Sequence, residues 1–312
     1  MTRRLLAFRC AVSVCALPAC AVASIACGSS SSSALPPVAP GVTPAAFEVR
    51  LERAQRPGDR GRVSTVVRSR RATVVTEGDR IVRREDEDRE VDLEAVVEVL
   101  GVDAAGAPRS LAYTLQHLIV QTPAGRTEVL PSGWLVSAER GGAKVTLRSA
   151  NPLPAEALKA LDEILSPLPS ESTDDEVFGT PEPRYVGAIW PVNATLAARE
   201  LADMHLDVPA EAVRGESQLV GLVEVAGQVC LDVAGELSIH DPRLIDAPGT
   251  ESAELRSTYR TLLPVDGTSP AIDATLRVDL DVTTLVALGP GREGRMTTTS
   301  HQEKRRRFMP LR

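Results

Sequence analysis

Val91-Asp92-Leu93-Glu94-Ala95-Val96-Val97-Glu98-Val99 decides the fold class: its odd positions are all apolar, while Asp92, Glu94 and Glu98 hold even ones. Successive side chains of an extended chain point to opposite faces, so a period of two makes one face apolar and leaves the other wet. The pattern returns from Val229 to Ile239, where Asp232, Glu236 and Ser238 oppose Leu231, Val233, Leu237 and Ile239. It returns again from Ile272 to Val282, with Asp273, Arg277, Asp279 and Asp281 on the polar side. Runs of this kind predict a mainly β protein: a large curved antiparallel sheet with one solvated face.

Further strands are predicted at 46–52, 62–76, 110–121, 127–137, 143–149, 217–226, 254–263 and 294–308. Turn chemistry separates them at Gly101 to Pro108, Gly141-Gly142 and Ala226-Gly227. Helical spacing occurs only in the middle. Pro154 suits a first helical position, with Leu158, Leu161 and Leu165 on one face. A second helix is predicted after Asn193 as N-cap, with Ala197, Leu201 and Met204 inward. The layout is therefore two β-meander halves with two short central helices. Residues 46–166 form the front meander, 167–184 a Pro-, Ser- and acid-rich linker, and 185–312 a helix plus the back meander.

The first residues read as an export signal. Arg3, Arg4 and Arg9 precede an uncharged stretch from Cys10 to Ala26, too poor in large apolar residues for a membrane span. Ser24-Ile25-Ala26 before Cys27 fits a lipoprotein cleavage box, making 1–26 a signal peptide and Cys27 the lipid attachment site. Residues 27–45, beginning Gly28 and then Ser29 to Ser33, read as a Ser/Pro-rich tether. Ser24 stands where such boxes carry Leu, Val or Ile. Two other processing sites are legible: a box at Leu17-Pro18-Ala19-Cys20, and an ordinary peptidase site at Ala21-Val22-Ala23 that yields a secreted protein. On the lipoprotein reading the chain resides in the bacterial cell envelope. Gly28 in place of Asp after the acylated cysteine points to the outer membrane.

Removing 1–26 takes away three arginines and no acids, leaving 32 basic and 42 acidic residues, a net charge of −10. An acidic body excludes a nucleic-acid partner, because phosphate binding needs positive faces. Of the five cysteines, three leave with the signal and Cys27 takes lipid, so Cys230 has no partner for an internal disulfide. Stability must come from packing, for which roughly 270 residues are ample.

Motifs for chemistry are scarce. The chain has no H-E-x-x-H, no phosphate-cradling G-x-x-x-x-G-K-[ST], and no C-x-x-C after the signal. Gly215-Glu216-Ser217-Gln218-Leu219 lacks the second glycine of a nucleophile elbow and precedes a strand. No catalytic residue, metal site or cofactor is therefore assigned. His117 shares the parity of Leu111, Tyr113, Leu115 and Ile119, which predicts burial. His205 reads as the last turn of a helix, His240 as a strand end, and His301 as part of a polar final strand. The mixed-sign run Arg83 to Glu94 reads as a solvated hairpin end that discourages edge pairing, and Lys304 to Arg307 as a charged edge strand, or else as a contact for lipid phosphate or another polymer. Trp134 and Trp190 read as plugs at the ends of the core. With His117 they are also the candidate ligand-lining residues.

Val186-Gly187-Ala188-Ile189-Trp190-Pro191-Val192, with the signal before it and the meanders around it, resembles a group of predicted bacterial lipoproteins of unknown function. The resemblance implies an address and a layout, and no activity. Its expected partners are the membrane, through the anchor, and an apolar ligand or an envelope protein. The expected function is non-enzymatic binding. A hydrolase whose site is assembled only by folding, from His117, His205 or His240 with Asp or Ser, and a surface adhesion module are the alternatives.

Overall fold

The computed structural model describes residues 45–141, 144–165, 173–203, 206, 208–241, 249–267 and 269–311. The signal, Cys27, the tether up to residue 44, residues 167–172 of the predicted linker, Met204 and His205 lie outside the described residues, while the rest of that linker carries a short helix, Asp174–Val177. After a short strand β1 (Ala46–Phe47) come β2 (Arg60–Glu77), β3 (Arg80–Val102), β4 (Pro108–Thr122), β5 (Gly125–Leu130), β6 (Leu135–Gly141) and β7 (Lys144–Ser149). Helices α1 (Ala155–Leu165) and α2 (Asp174–Val177) follow, then β8 (Arg184–Tyr185), β9 (Ile189–Pro191) and α3 (Ala194–Asp203). The rest is β10 (Val213–Val225), β11 (Gln228–His240), β12 (Thr250–Pro264), β13 (Asp273–Gly289) and β14 (Arg292–Pro310).

Strands β1 and β8 pair as a separate ribbon, and the other twelve form one sheet in the order β7-β6-β4-β3-β2-β14-β13-β12-β11-β10-β9, with β5 beside β4. Every pairing among the described strands is antiparallel, as expected for strands with one solvated face. The two meanders are thus halves of one sheet, joined where β14 pairs with β2 from Arg295↔Thr76 to Pro310↔Gly61. This corrects the expectation of a charged edge strand at 304–307. Edge character was inferred from local charge, whereas the pairing that centres β14 joins residues more than two hundred positions apart.

The Arg83 to Glu94 run behaves as its charges imply. Pairing of β3 with β4 stops at Glu90↔Gln121, so residues 80–88 present an open, mostly charged, exposed edge. Two other boundaries shift. The 46–52 strand shrinks to Ala46–Phe47, after which Val49 and Leu51 turn into the core. The 127–137 strand divides into β5 and β6 because Gly133 takes φ +87°, a turn conformation costly for other residues.

Each half buries its own core on the same, helix-bearing face of the sheet. In front, Val91, Leu93, Ala95, Leu115, Leu118 and Val136 pack with Ala157, Ala160, Leu161 and Ile164 of α1. Behind, Leu219, Leu231, Val233, Ile239, Leu255 and Leu276 pack with Trp190, Ala197 and Leu201. Each large side chain removed from water in this way contributes about 1.5–3 kcal/mol. The buried face of α1 is turned by one position from the expected one, for Leu158 remains 42% exposed. Asn193 caps α3 as expected, its Oδ1 accepting from the Leu196 amide at 3.2 Å. Thr173 and Glu176 form a capping box around α2, a start signal that the sequence reading passed over.

Candidate functional site

The outer face of the sheet carries a ladder of cross-strand ion pairs. Residues directly opposite on neighbouring strands share a face, and here several such pairs are of opposite sign. Arg277 on β13 meets Glu303 on β14 at 3.1 Å, Arg68 on β2 meets Glu90 on β3 at 2.6 Å, and Arg70 meets Asp88 at 3.3 Å. Asp273 receives Arg307 at 3.1 Å and Arg305 at 3.9 Å. Asp232, almost fully buried, takes both ends of the Arg260 guanidinium at 2.8 and 2.6 Å.

The described histidines belong to this ladder. His301 Nδ1 lies 2.5 Å from Asp279, His240 Nε2 lies 3.3 Å from Glu254, and His117 Nε2 lies 3.4 Å from Asp92. They stand on β14, β11 and β4, with two strands between His240 and His301 and two more between His301 and His117. At about 4.8 Å per strand the rings are too far apart to share a cleft. His117 was expected on the buried parity. A bulge, where Glu94↔His117 is followed by Ala95↔Leu115, inserts Gln116 and reverses the alternation. Leu118 and Val120 are therefore buried, while His117 and Ile119 join the polar face. Among the described residues no three of His, Cys, Asp and Glu group so as to hold a metal ion.

Trp190 is a core residue, 3% exposed, whose indole N–H donates to the Phe178 carbonyl at 2.8 Å. That carbonyl also accepts from Ser217 Oγ at 2.9 Å, and Ser217 Oγ accepts from the Tyr259 hydroxyl at 2.8 Å. The Phe178 and Tyr259 rings meet edge to face at 5.3 Å. Ser217, in the sequence that imitates a nucleophile elbow, is thus fully buried and committed to structure. Trp134 is partly buried against the front core, its carbonyl accepting from the Leu115 amide at 2.8 Å. The three ligand-lining candidates therefore sit in three separate places.

The feature that stands apart is the inner side of β14. Phe308, Arg306, Lys304, Gln302, Ser300 and Thr298 share the face of the two cores, because they stand opposite Val63, Thr65, Val67, Ser69, Arg71 and Thr73 of β2. On the other flank Lys304 stands opposite Leu276 and Gln302 opposite Val278, both apolar and buried. Helix α1 packs over β2, β3, β4 and β5, and α3 over β10, while the principal contacts of β14 are with its strand neighbours. A polar row thus runs between two apolar cores. Burial pushes the Lys304 ammonium down to about 8, and the neighbouring Arg306 charge adds to the shift. Among the described residues neither Lys304 nor Arg306 has an acidic partner. Arg89, another cation of this face besides Arg71, is by contrast held by Glu156 at 2.6 Å and Glu163 at 3.0 Å. Sequence reading noticed the basic run and missed its position. Alternation within 304–307 was the available signal, since only every second residue can face the cores.

No family model and no curated protein matches the chain. Among solved structures it is similar to one titled for lipid–protein interactions in lipovitellin, at 8% identity and a TM-score of 0.35 over 82% of this chain and 25% of that one. The chain therefore spans about a quarter of that protein's length. An outer membrane channel from Pseudomonas putida F1 aligns at 11% identity and a TM-score of 0.19, covering 82% and 97% of the two chains. A LolA superfamily protein from Nitrosomonas europaea aligns at 9% identity and 0.11, covering 83% and 90%. Overlaps this loose carry no argument about function. No helix among the described residues is long and apolar enough to cross a membrane.

Proposed function

We propose that the chain is a non-enzymatic, lipid-anchored envelope protein that binds an apolar or amphipathic ligand on the helix-bearing face of its sheet. Cys27 carries the anchor, and the Ser-rich tether gives the folded body reach above the membrane. One observation carries the binding reading: the inner row of β14 runs between two separately covered cores and has no helix among its principal contacts. Behind the same row, the outer face of β2, β3, β13 and β14 offers less to an anion, since its arginines pair with carboxylates across the strands. Dispersal of the described histidines along that face speaks against the hydrolase alternative.

Native mass spectrometry of the protein extracted from membranes tests both parts. The expected result is an acylated chain with a co-purified non-covalent ligand, and loss of the acyl mass in Cys27→Ser. An unmodified chain would remove the anchor. A ligand-free chain that takes up no added amphiphile would remove the binding role.

A further inference from the structure

We infer that the ligand of this face is an anionic amphiphile whose phosphate or carboxylate headgroup is received by Lys304 and Arg306 of β14. The inference rests on the binding role proposed above and names the ligand's chemistry. Lys304-Arg305-Arg306-Arg307 is a run of four cations whose alternation divides them between the faces. The outward pair, Arg305 and Arg307, shares Asp273 at 3.9 and 3.1 Å. The inward pair has no acid among the described residues. The same strand thus neutralises its charges on one face and leaves them unanswered on the other.

The surroundings make that difference expensive. Lys304 lies between Val67, 1% exposed, and Leu276, 3% exposed, and Arg306 lies between Thr65 and Ala274, 3% and 1% exposed. An ammonium flanked by buried aliphatic side chains loses hydration with no Coulombic return, so an ordinary structural role would favour Met or Leu there. Both residues keep part of their surface in solvent, the side from which an external anion would approach.

Residues two apart on a strand lie roughly 7 Å from each other, a spacing at which two cationic side chains can converge on one headgroup. Gln302, Ser300 and Thr298 continue the row with further hydrogen-bonding groups. One strand away on β13, beyond the buried Leu276, Val278 and Leu280, the partly exposed Val282 and Val286 stand opposite Thr298 and Gly294 and continue that face as an apolar flank. Headgroup and hydrocarbon thus meet adjacent supports of opposite character.

The test titrates the full-length protein with dodecyl phosphate below its micellar concentration, beside neutral dodecyl maltoside and inorganic phosphate. Dodecyl phosphate should bind at least tenfold tighter than either comparator, and Lys304→Met and Arg306→Met should each weaken it about tenfold. Lys304→Arg should retain binding, and the outward-facing Arg307→Met should stay within about twofold of the parent. Circular dichroism of each variant checks that the sheet is intact. Equal affinity for dodecyl maltoside, or unchanged binding in both inward variants, overturns the anionic headgroup and leaves the binding role standing. Inorganic phosphate binding as tightly as dodecyl phosphate overturns the amphiphile. If neither amphiphile binds, the binding role and the inference fall together.

Discussion

Tyr259 fills the space above Gly235: a Cβ on that glycine would stand 2.4 Å from Tyr259 Cε1 and 2.8 Å from the Glu216 carbonyl oxygen. The glycine on β11 lets the phenol of β12 lie flat across it and reach Ser217 on β10. Gly235→Ala should therefore displace the ring and lose about 1–3 kcal/mol. Tyr259→Phe, which removes only the hydroxyl donated to Ser217, should lose about 1 kcal/mol. Urea unfolding midpoints compare the two, and an alanine variant as stable as the parent would refute the packing.

Helix α1 offers a contrast within one turn and a half. Leu161 is fully buried against the front sheet, whereas Leu158 is 42% exposed. Leu161→Ala should lower stability by about 2–5 kcal/mol. Leu158→Ala should fall within about 0.5 kcal/mol of the parent. The reverse order in a thermal melt would restore the helix face that leucine spacing alone suggests.

That helix illustrates what was legible in the sequence. Strand alternation at Val91–Val99 and Ile272–Val282 is a local property, so β3 and β13 could be read directly. The face of α1 depended on Ala157 and Ala160, small residues that leucine counting passes over. The reversed parity of His117 came from a bulge whose extra residue, Gln116, has no marked composition. The candidate site was the least legible part, because a basic strand looks the same at an edge or at the centre. Only the pairing of β14 with β2 distinguishes them.

Asp232 and Arg260 supply a test of the outer face. The carboxylate is 2% exposed, and the guanidinium holds both of its oxygens. Arg260→Ala would leave that carboxylate buried without its counterion, a loss on the order of 3 kcal/mol. Asp232→Asn in the same background should recover part of it, because an amide is cheaper to bury than a charge. A double-mutant cycle measures the coupling, and additive effects would mean that the pair acts independently.

Lys304 makes ligand-free stability depend on pH with a defined sign. Its folded value of about 8 lies below the ordinary 10.5, so between these limits the unfolded chain holds a proton that the folded chain lacks. Stability then rises with pH across that window, and the full penalty, on the order of 3 kcal/mol, applies below it. Arg306 is the charged neighbour that contributes to the shift, and it stays charged throughout. Cys230 and Tyr113 are both raised by burial, so their stabilising protons are lost at high pH and oppose the trend. The measurement is therefore the difference between the parent and Lys304→Met, in which those two contributions cancel. The variant should be the more stable at pH 7, and its advantage should shrink steadily towards pH 10. A constant difference would mean that the ammonium is as well hydrated in the folded sheet as in the unfolded chain.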